Sequence, residues 1–301
     1  MTPHWRLARI GIWGNAVIGK ELRTRMRGWR SVAVLTTYMA VLGAIAIAFL
    51  FQQAGPTTGQ SSQVGVQLFQ VLAGFQLFLI LFVTPASTAA AISGERQRQT
   101  WDLLLVTRLS ALGIVLGKLA AGLAFNLMLL LASLPLFSLI FLFGGVAPDD
   151  VVHTYAVFLA TIVLLGVISL LVSALSRRVT VSMIVSNVLA LLLGIGLSLL
   201  ALYLENWGSP VYGPRGLVPP PPLTPLAELD PFAALLSALP GVTSGSQLGS
   251  LQIVHHAFRL PFTMHLWEAY FILALALSVA LLLLTTLVVR FSPGWLSRTA
   301  G

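Results

Sequence analysis

The sequence predicts an all-α integral membrane protein with six transmembrane helices, and three observations carry that prediction. Residues 31–94, 119–148, 151–176, 179–204 and 269–289 contain no Asp, Glu, Lys or Arg. A hydrocarbon core about 30 Å thick takes about 20 apolar residues of helix to cross, and the first stretch holds two crossings around a Gln/Gly/Pro/Ser break at Gln52–Gly65. Finally, the basic residues fall on alternate connections, as positive-inside topology requires.

In chain order, residues 1–30 come first and carry seven of the 17 basic residues. Ile18, Leu22, Met26 and Trp29 recur at helical spacing, with Lys20, Arg23, Arg27 and Arg30 on another face. That pattern predicts an amphipathic helix lying along the inner leaflet and turning into the first span. The segment lacks the short apolar core and small-residue cleavage site of a signal peptide.

The spans are expected at Val32–Phe51, Gln67–Ser93, Leu119–Phe143, Thr154–Leu175, Val179–Leu204 and Ala269–Val289. Basic residues collect on residues 1–30, on segment 94–118, at Arg177 and Arg178, and at Arg290 and Arg298. The opposite connections hold only Arg215 and Arg259, but six of the nine acids. Both termini are therefore expected in the cytoplasm. The chain reads as one transmembrane domain over 1–301, with cytoplasmic segments 1–30 and 94–118 and an extracellular segment 205–268.

Composition excludes several function classes. The net charge of +8 is split among membrane flanks with no folded basic domain, so it reads as topology and anionic-lipid contact rather than nucleic-acid binding. With no Cys and five His lacking metal-ligand spacing, neither a metal site nor a catalytic set is expected. The span interiors offer no ionisable group, whereas ion-coupled carriers need one at membrane depth. Energy for any transport is thus expected to arrive as motion imposed on the cytoplasmic face. Gly113–Lys118 reads GIVLGK, but its glycine spacing is one residue short of a phosphate-binding loop and Leu119 replaces the Ser/Thr.

Segment 94–118, GERQRQTWDLLLVTRLSALGIVLGK, mixes charges with a short apolar run and suits a short helix that an external protein could push. In the fifth span Ser182, Ser186, Ala190, Gly194 and Ser198 recur every four residues, a small-residue face that packs within the subunit or against a second copy. Asp230 and Pro231 suit the N-cap and first position of a short helix, Pro231–Leu239, at the outer interface or dipping into it, ended by Pro240. The bland reading of that helix is a spacer packed on the outer ends of the spans.

NAVIGKELRTRMRG before the first span and ISGERQRQTWDLLLVTRLSALGIVLGK between the second and third resemble the permease subunits of ATP-binding-cassette (ABC) exporters of the second permease class. The resemblance implies a connecting helix containing Lys20, Glu21, Arg23 and Arg27. It also implies a coupling helix, docked on a separate ATPase, containing Glu95, Arg96, Thr100, Trp101, Asp102, Leu103, Leu104 and Leu105. The sequence departs from the family pattern at Gln97 and Gln99, where an acid and a Gly are common, at Trp101, where Leu is common, and at Arg108, where Pro is common.

The same resemblance implies a homodimer or a heterodimer with a related permease, in a plasma or inner membrane. The second and fifth spans would line a central path, with Gln70, Gln76, Thr84, Thr88 and Asn187 as lining residues. From the residues alone, those neutral polar residues read as interhelical hydrogen-bonding groups in preference to substrate contacts, and Ser186, Ala190, Gly194 and Ser198 as packing positions. No cofactor is expected on this chain, since ATP and Mg²⁺ belong to the partner ATPase. The alternative function is a structural membrane subunit or scaffold without transport of its own.

Overall fold

The computed structural model describes residues 29–53, 61–100, 111–200, 203, 212–213, 216–217, 227–241, 252–253 and 264–291. Helices α1 (Trp29–Gln52), α2 (Ser61–Thr88), α3 (Ser93–Gln97), α4 (Ala111–Ile140) and α5 (Pro148–Leu175) come first. They are followed by α6 (Val179–Leu191), α7 (Pro231–Ala238) and α8 (Leu266–Arg290). Past Leu191, α6 runs through a π turn at Leu192–Gly196 and on to Leu200. Six of these helices, α1, α2, α4, α5, α6 and α8, are long and apolar enough to cross a membrane. The described strands are two antiparallel pairs of two residues each, Tyr212–Gly213 with Gly216–Leu217 and Gln252–Ile253 with Met264–His265.

The bundle is organised around α5. It touches α2, α4, α6, α7 and α8, and 72% of its most apolar window is buried against 11% for α1. Past His153 the helix carries only apolar, aromatic and small hydroxyl residues, and Thr154, Thr161, Ser169 and Ser173 are themselves buried, as expected for a helix enclosed on all sides. Its start is fixed by Pro148 at the first position and by Asp150, whose Oδ2 accepts from the Ala147 N–H at 2.8 Å. Glu268 reaches back to the His265 N–H in the same way at the head of α8. Between α5 and α8, Thr161 and Tyr270 share a hydrogen bond of 2.7 Å, and His153 stacks on Trp267 at 4.3 Å. The peripheral α1 is attached to α2 by the Tyr38 hydroxyl, which donates to Gln76 Oε1, and by buried Leu42.

Several helix ends differ from expectation, among them the starts of α2 at Ser61 and α5 at Pro148, each six residues early, and two lie at the α3 junction. Regular α-helix in α2 stops at Thr88, and the chain turns through 89–92 into α3, where Ser173 accepts from the Ile92 and Ser93 N–H groups and Ser182 donates to the Ala89 carbonyl; the apolar stretch as a whole runs from Ser62 to Gln97. Helix α4 starts at Ala111, eight residues before the expected span, because Lys118 is a buried interior residue of the helix rather than its flank.

The two ends of the bundle differ. At the α3 end a satellite core of Ile92, Ile114, Val115, Leu119, Val167 and Leu170 packs together. At the α7 end, the Gly144–Gly145 turn between α4 and α5 has φ of +79° and +85° and lies directly on the first turns of α2. There α7 buries Pro231, Ala234, Leu235 and Ala238 on α5 and α8. Its N-cap, Asp230, is 1% exposed and accepts from the Phe232 N–H at 2.9 Å and from Ser198 Oγ of α6 at 2.8 Å. Burial pushes the Asp230 pKa up; the Ser198 hydroxyl and the Phe232 and Ala233 N–H groups pull it partly back. Past α7, the Pro240 carbonyl accepts from Gln70 Nε2 of α2 at 2.8 Å.

Candidate functional site

The most connected polar structure in the bundle is the junction around α3. Ser173 of α5 supplies its hydroxyl oxygen to the Ile92 and Ser93 N–H groups at 3.0 and 2.9 Å, and donates to Ser93 Oγ at 3.2 Å. These bonds satisfy backbone donors that a helix start leaves open. Ser182 of α6 donates to the Ala89 carbonyl at 2.7 Å, and Gln97 Oε1 accepts from the Val179 N–H at 3.3 Å. The guanidinium of Arg96 is partly buried, and this, with the neighbouring charge of Arg177, lowers its pKa.

Glu95 joins two directions at once. Its Oε1 accepts from Lys118 Nζ at 3.1 Å, and its Oε2 accepts from Thr100 Oγ1 at 3.1 Å. Lys118 is 1% exposed and Glu95 28%, so the pair has its cation inside the bundle and its carboxylate at the rim. Through these contacts α3 is tied to α4, α5 and α6.

The end of α3 is a Schellman turn, with the Thr100 N–H on the Glu95 carbonyl and the Gln99 N–H on the Arg96 carbonyl, at 3.0 and 3.2 Å. Gln99 stands at φ +57°, where glycine is the residue without steric cost. This gives a physical reason for the glycine common at that position in the resembling family. The left-handed backbone costs a non-glycine residue about 1–2 kcal/mol, of which Gly gives back part through its own entropy. Gln99→Gly is expected to slow hydrogen exchange at the Thr100 N–H by up to about fivefold, with Gln99→Val speeding it, measured by exchange mass spectrometry.

Residues 15–293 match the family profile of ABC-2 family transporter proteins. The chain belongs to the ABC-2 transporter family. Its members are membrane transport subunits of ABC transporters, and this ABC-2 protein is a multi-pass permease subunit, a class that works with an ABC ATPase. No curated protein matches the chain.

Of the coupling residues implied by resemblance, the ABC-2 chain brings Glu95, Arg96 and Thr100 together at the α3 junction. Trp101, Asp102, Leu103, Leu104 and Leu105 lie outside the described residues, as do Lys20, Glu21, Arg23 and Arg27 of the connecting segment. Charge patterning alone gives Lys118 only a topological role, although a helix-compatible apolar run from Ala111 places it inside α4. Ser173 carries no sequence signal beyond being a hydroxyl in an apolar span.

The neutral polar residues of α2 are occupied within the subunit. Gln76 accepts from Tyr38, and Thr84 donates to Asn126 Oδ1 at 3.3 Å. Thr88 donates to the Thr84 carbonyl at 2.7 Å, and its methyl group sits where a Cβ on Gly122 of α4 would fall. All three are at most 1% exposed. Gln70 is half-buried and holds Pro240, and Asn187 donates to its own helix at Met183 O, 2.8 Å away. The packing face of α6 meets α2 of the same subunit. Ser182 bonds Ala89, Ala190 is fully buried, and a Cβ on Gly194 would stand 2.7 Å from Leu81 Cδ1. Ser186 is buried with its hydroxyl unbonded, and Ser198 bonds Asp230.

What α2 turns outward is different. Val71, Phe78 and Phe82 are exposed at helical spacing, and Phe75, Phe78 and Phe82 form a ladder with ring centroids 6.1 and 4.8 Å apart. Val185 and Leu189 are exposed on α6. Thus the exposed stripe along the middle of the two helices is apolar, whereas Gln76, Thr84, Thr88, Ser182 and Ser186 are buried.

Proposed function

We propose that this chain is the membrane-spanning half of an ATP-driven exporter, paired as a dimer and driven by a separate ATPase that docks on segment 94–118. Both termini and α3 face the cytoplasm in this reading, and the membrane is the plasma or inner membrane. The observation that supports it best is the α3 junction. A short helix at the expected docking segment is bonded to α4, α5 and α6, so force applied there spreads into the bundle. Export, and the hydrolysis of ATP on the partner, rest on the resemblance of the two quoted motifs.

In such a dimer the path is lined by the outward stripe of α2, Val71, Phe75, Phe78 and Phe82, and by Val185 and Leu189 of α6. Gln76 and Thr84 then act as hydrogen-bonding groups that fix α2 against α1 and α4, the role neutral polar residues take between membrane helices, while Thr88 bonds within α2 and packs its methyl group at Gly122 of α4.

The test is a mild-detergent pull-down of the tagged chain from its native membranes, with mass spectrometry of proteins retained in stoichiometric amount. The expected result is a soluble nucleotide-binding protein near one copy per permease. Recovery without any ATPase would favour a scaffold and remove the coupling role from α3.

A further inference from the structure

The inner and outer parts of α6 are held differently: Val179–Leu191 packs on α2 and α5, whereas the turn that follows meets α7 and, at Gly194, Leu81 of α2. Helix α7 seats four buried residues on α5 and α8 and is tied to α2 through Gln70 and Pro240. Together α2, α5, α7 and α8 form one packed block. The outer end of α6 begins at a π turn, Leu192–Gly196, containing Gly194 and Gly196. Turns of this kind interrupt regular helix bonding and recur at functional sites.

Just beyond the turn, Ser198 Oγ lies 2.8 Å from Asp230 Oδ2 and 2.8 Å from the Gly194 carbonyl. A serine hydroxyl carries one hydrogen, so these two acceptors are alternatives. Donation to Asp230 fastens α6 to the block; donation to Gly194 returns the hydrogen to α6 itself. Releasing α6 therefore orphans no donor on that helix, and the carboxylate left behind keeps its backbone N–H partners at Phe232 and Ala233.

We infer that the outer end of α6 is a hinged gate, with the Leu192–Gly196 turn as hinge and the Ser198–Asp230 hydrogen bond as its latch to the α2–α5–α7–α8 block. Its consequence for transport rests on the exporter reading above, because α6 is a path helix only there. The latch itself is a property of this chain alone. Ser198 and Asp230 are positioning residues and touch no substrate in this scheme.

The chain has no cysteine, so spin labels can be placed at will on the full-length protein in lipid nanodiscs. Labels at Leu199 of α6 and Ile272 of α8, both exposed, report the gate. Labels at Val152 of α5 and Ile272 report the block. Ser198→Ala removes the latch donor, and one hydrogen bond of net stabilisation corresponds to about a fivefold shift between two populations. The expected result is a longer Leu199–Ile272 distance population enriched by about fivefold, with the Val152–Ile272 distance unchanged. Ser198→Thr, which keeps the hydroxyl, and Asp230→Asn, which keeps an acceptor and a good N-cap, are expected to retain the native distribution.

An unchanged Leu199–Ile272 distribution in Ser198→Ala overturns the latch. A change in both distances overturns it equally, because α6 and the block would then not move independently. Repeating the measurement with the co-purified ATPase and ATP separates the two readings. Ser198→Ala moving the gate while ATP does not would leave the hinge standing and remove the exporter.

Discussion

Replacing Glu95 by leucine is expected to destabilise the protein by about 3 kcal/mol, more than any other single change at the α3 junction. Removing one partner of a buried ion pair costs about 3–5 kcal/mol, because the remaining charge keeps its desolvation penalty and loses attraction that offset it; Lys118 keeps a further interaction besides Glu95, which holds the loss to the foot of that range. Lys118 is 1% exposed and cannot recover hydration without opening α4 from the bundle. The lower end of the range applies because Glu95 is 28% exposed, so its own share of the attraction is screened by water.

The reverse substitution is not equivalent. Lys118→Met leaves a carboxylate at the rim, still bonded to Thr100 and open to solvent, and is expected to cost about 1 kcal/mol, within the range of exposed pairs. Because an apolar pair can replace a buried ion pair at little cost, the double variant Glu95→Leu with Lys118→Met should recover most of the loss. Denaturation midpoints of the four proteins in one detergent complete the cycle. Equal losses for the two single variants would remove the asymmetry and with it the assignment of Lys118 as the buried member.

Substituting the glycines where α2 meets the α4–α5 turn is expected to produce the second large effect, and the glycines form a graded series. A Cβ on Gly65 would stand 2.2 Å from the Gly144 carbonyl oxygen. Backbone cannot step aside as a side chain does, so Gly65→Ala should cost about 2 kcal/mol, the middle of the overpacking range. Gly145→Ala combines a positive φ with a Cβ 2.4 Å from the Ser62 carbonyl oxygen and should cost about 3 kcal/mol. At Gly144 the φ is also positive but the space is open, so alanine there should cost about 1 kcal/mol. A Cβ on Gly43 or Gly74 would have nothing within 4 Å, and alanine should be neutral or stabilising by up to about 1 kcal/mol. Thermal unfolding of the five variants checks the order, and a Gly65→Ala protein as stable as Gly43→Ala would refute the close contact.

Charge placement is sufficient to read the number of spans, because water excludes nothing from a loop whereas the bilayer excludes charge from a helix. The same rule misplaces the start of α4. It takes Lys118 as a border, and a lysine whose charge is met by a carboxylate 23 positions earlier cannot be distinguished from a flank without the third dimension. Pro85 is visible, but the helix runs through it to Thr88; the turn that follows is held by Ser173 and Ser182 from two other helices, and neither serine signals that role in the sequence. The small-residue face of α6 is legible at four-residue spacing, though its partner is not. Serine and glycine announce close approach, and nothing in them identifies α2 as the surface approached. The roles of Gln76 and Thr84 are illegible for a related reason: an amide or hydroxyl has the same composition whether it faces a path or a neighbouring tyrosine.

The contrast between α5 and α1 bears on how this chain can change over evolutionary time. Both are apolar over the length of a span, but one is enclosed by protein and the other is mostly covered by acyl chains. Lipid is a liquid that adapts to any apolar outline, so the outward face of α1 is constrained in composition alone: exchanges among Leu, Ile, Val and Phe should drift freely there, and only charge should be purged. Protein neighbours do not adapt in that way. At Val157, Phe158, Leu164 and Leu165, all at most 1% exposed, selection acts on volume and branching, so substitutions that keep hydrophobicity intact should still be rejected. Two helices that look interchangeable in hydropathy thus record different histories, one written in polarity and the other in shape.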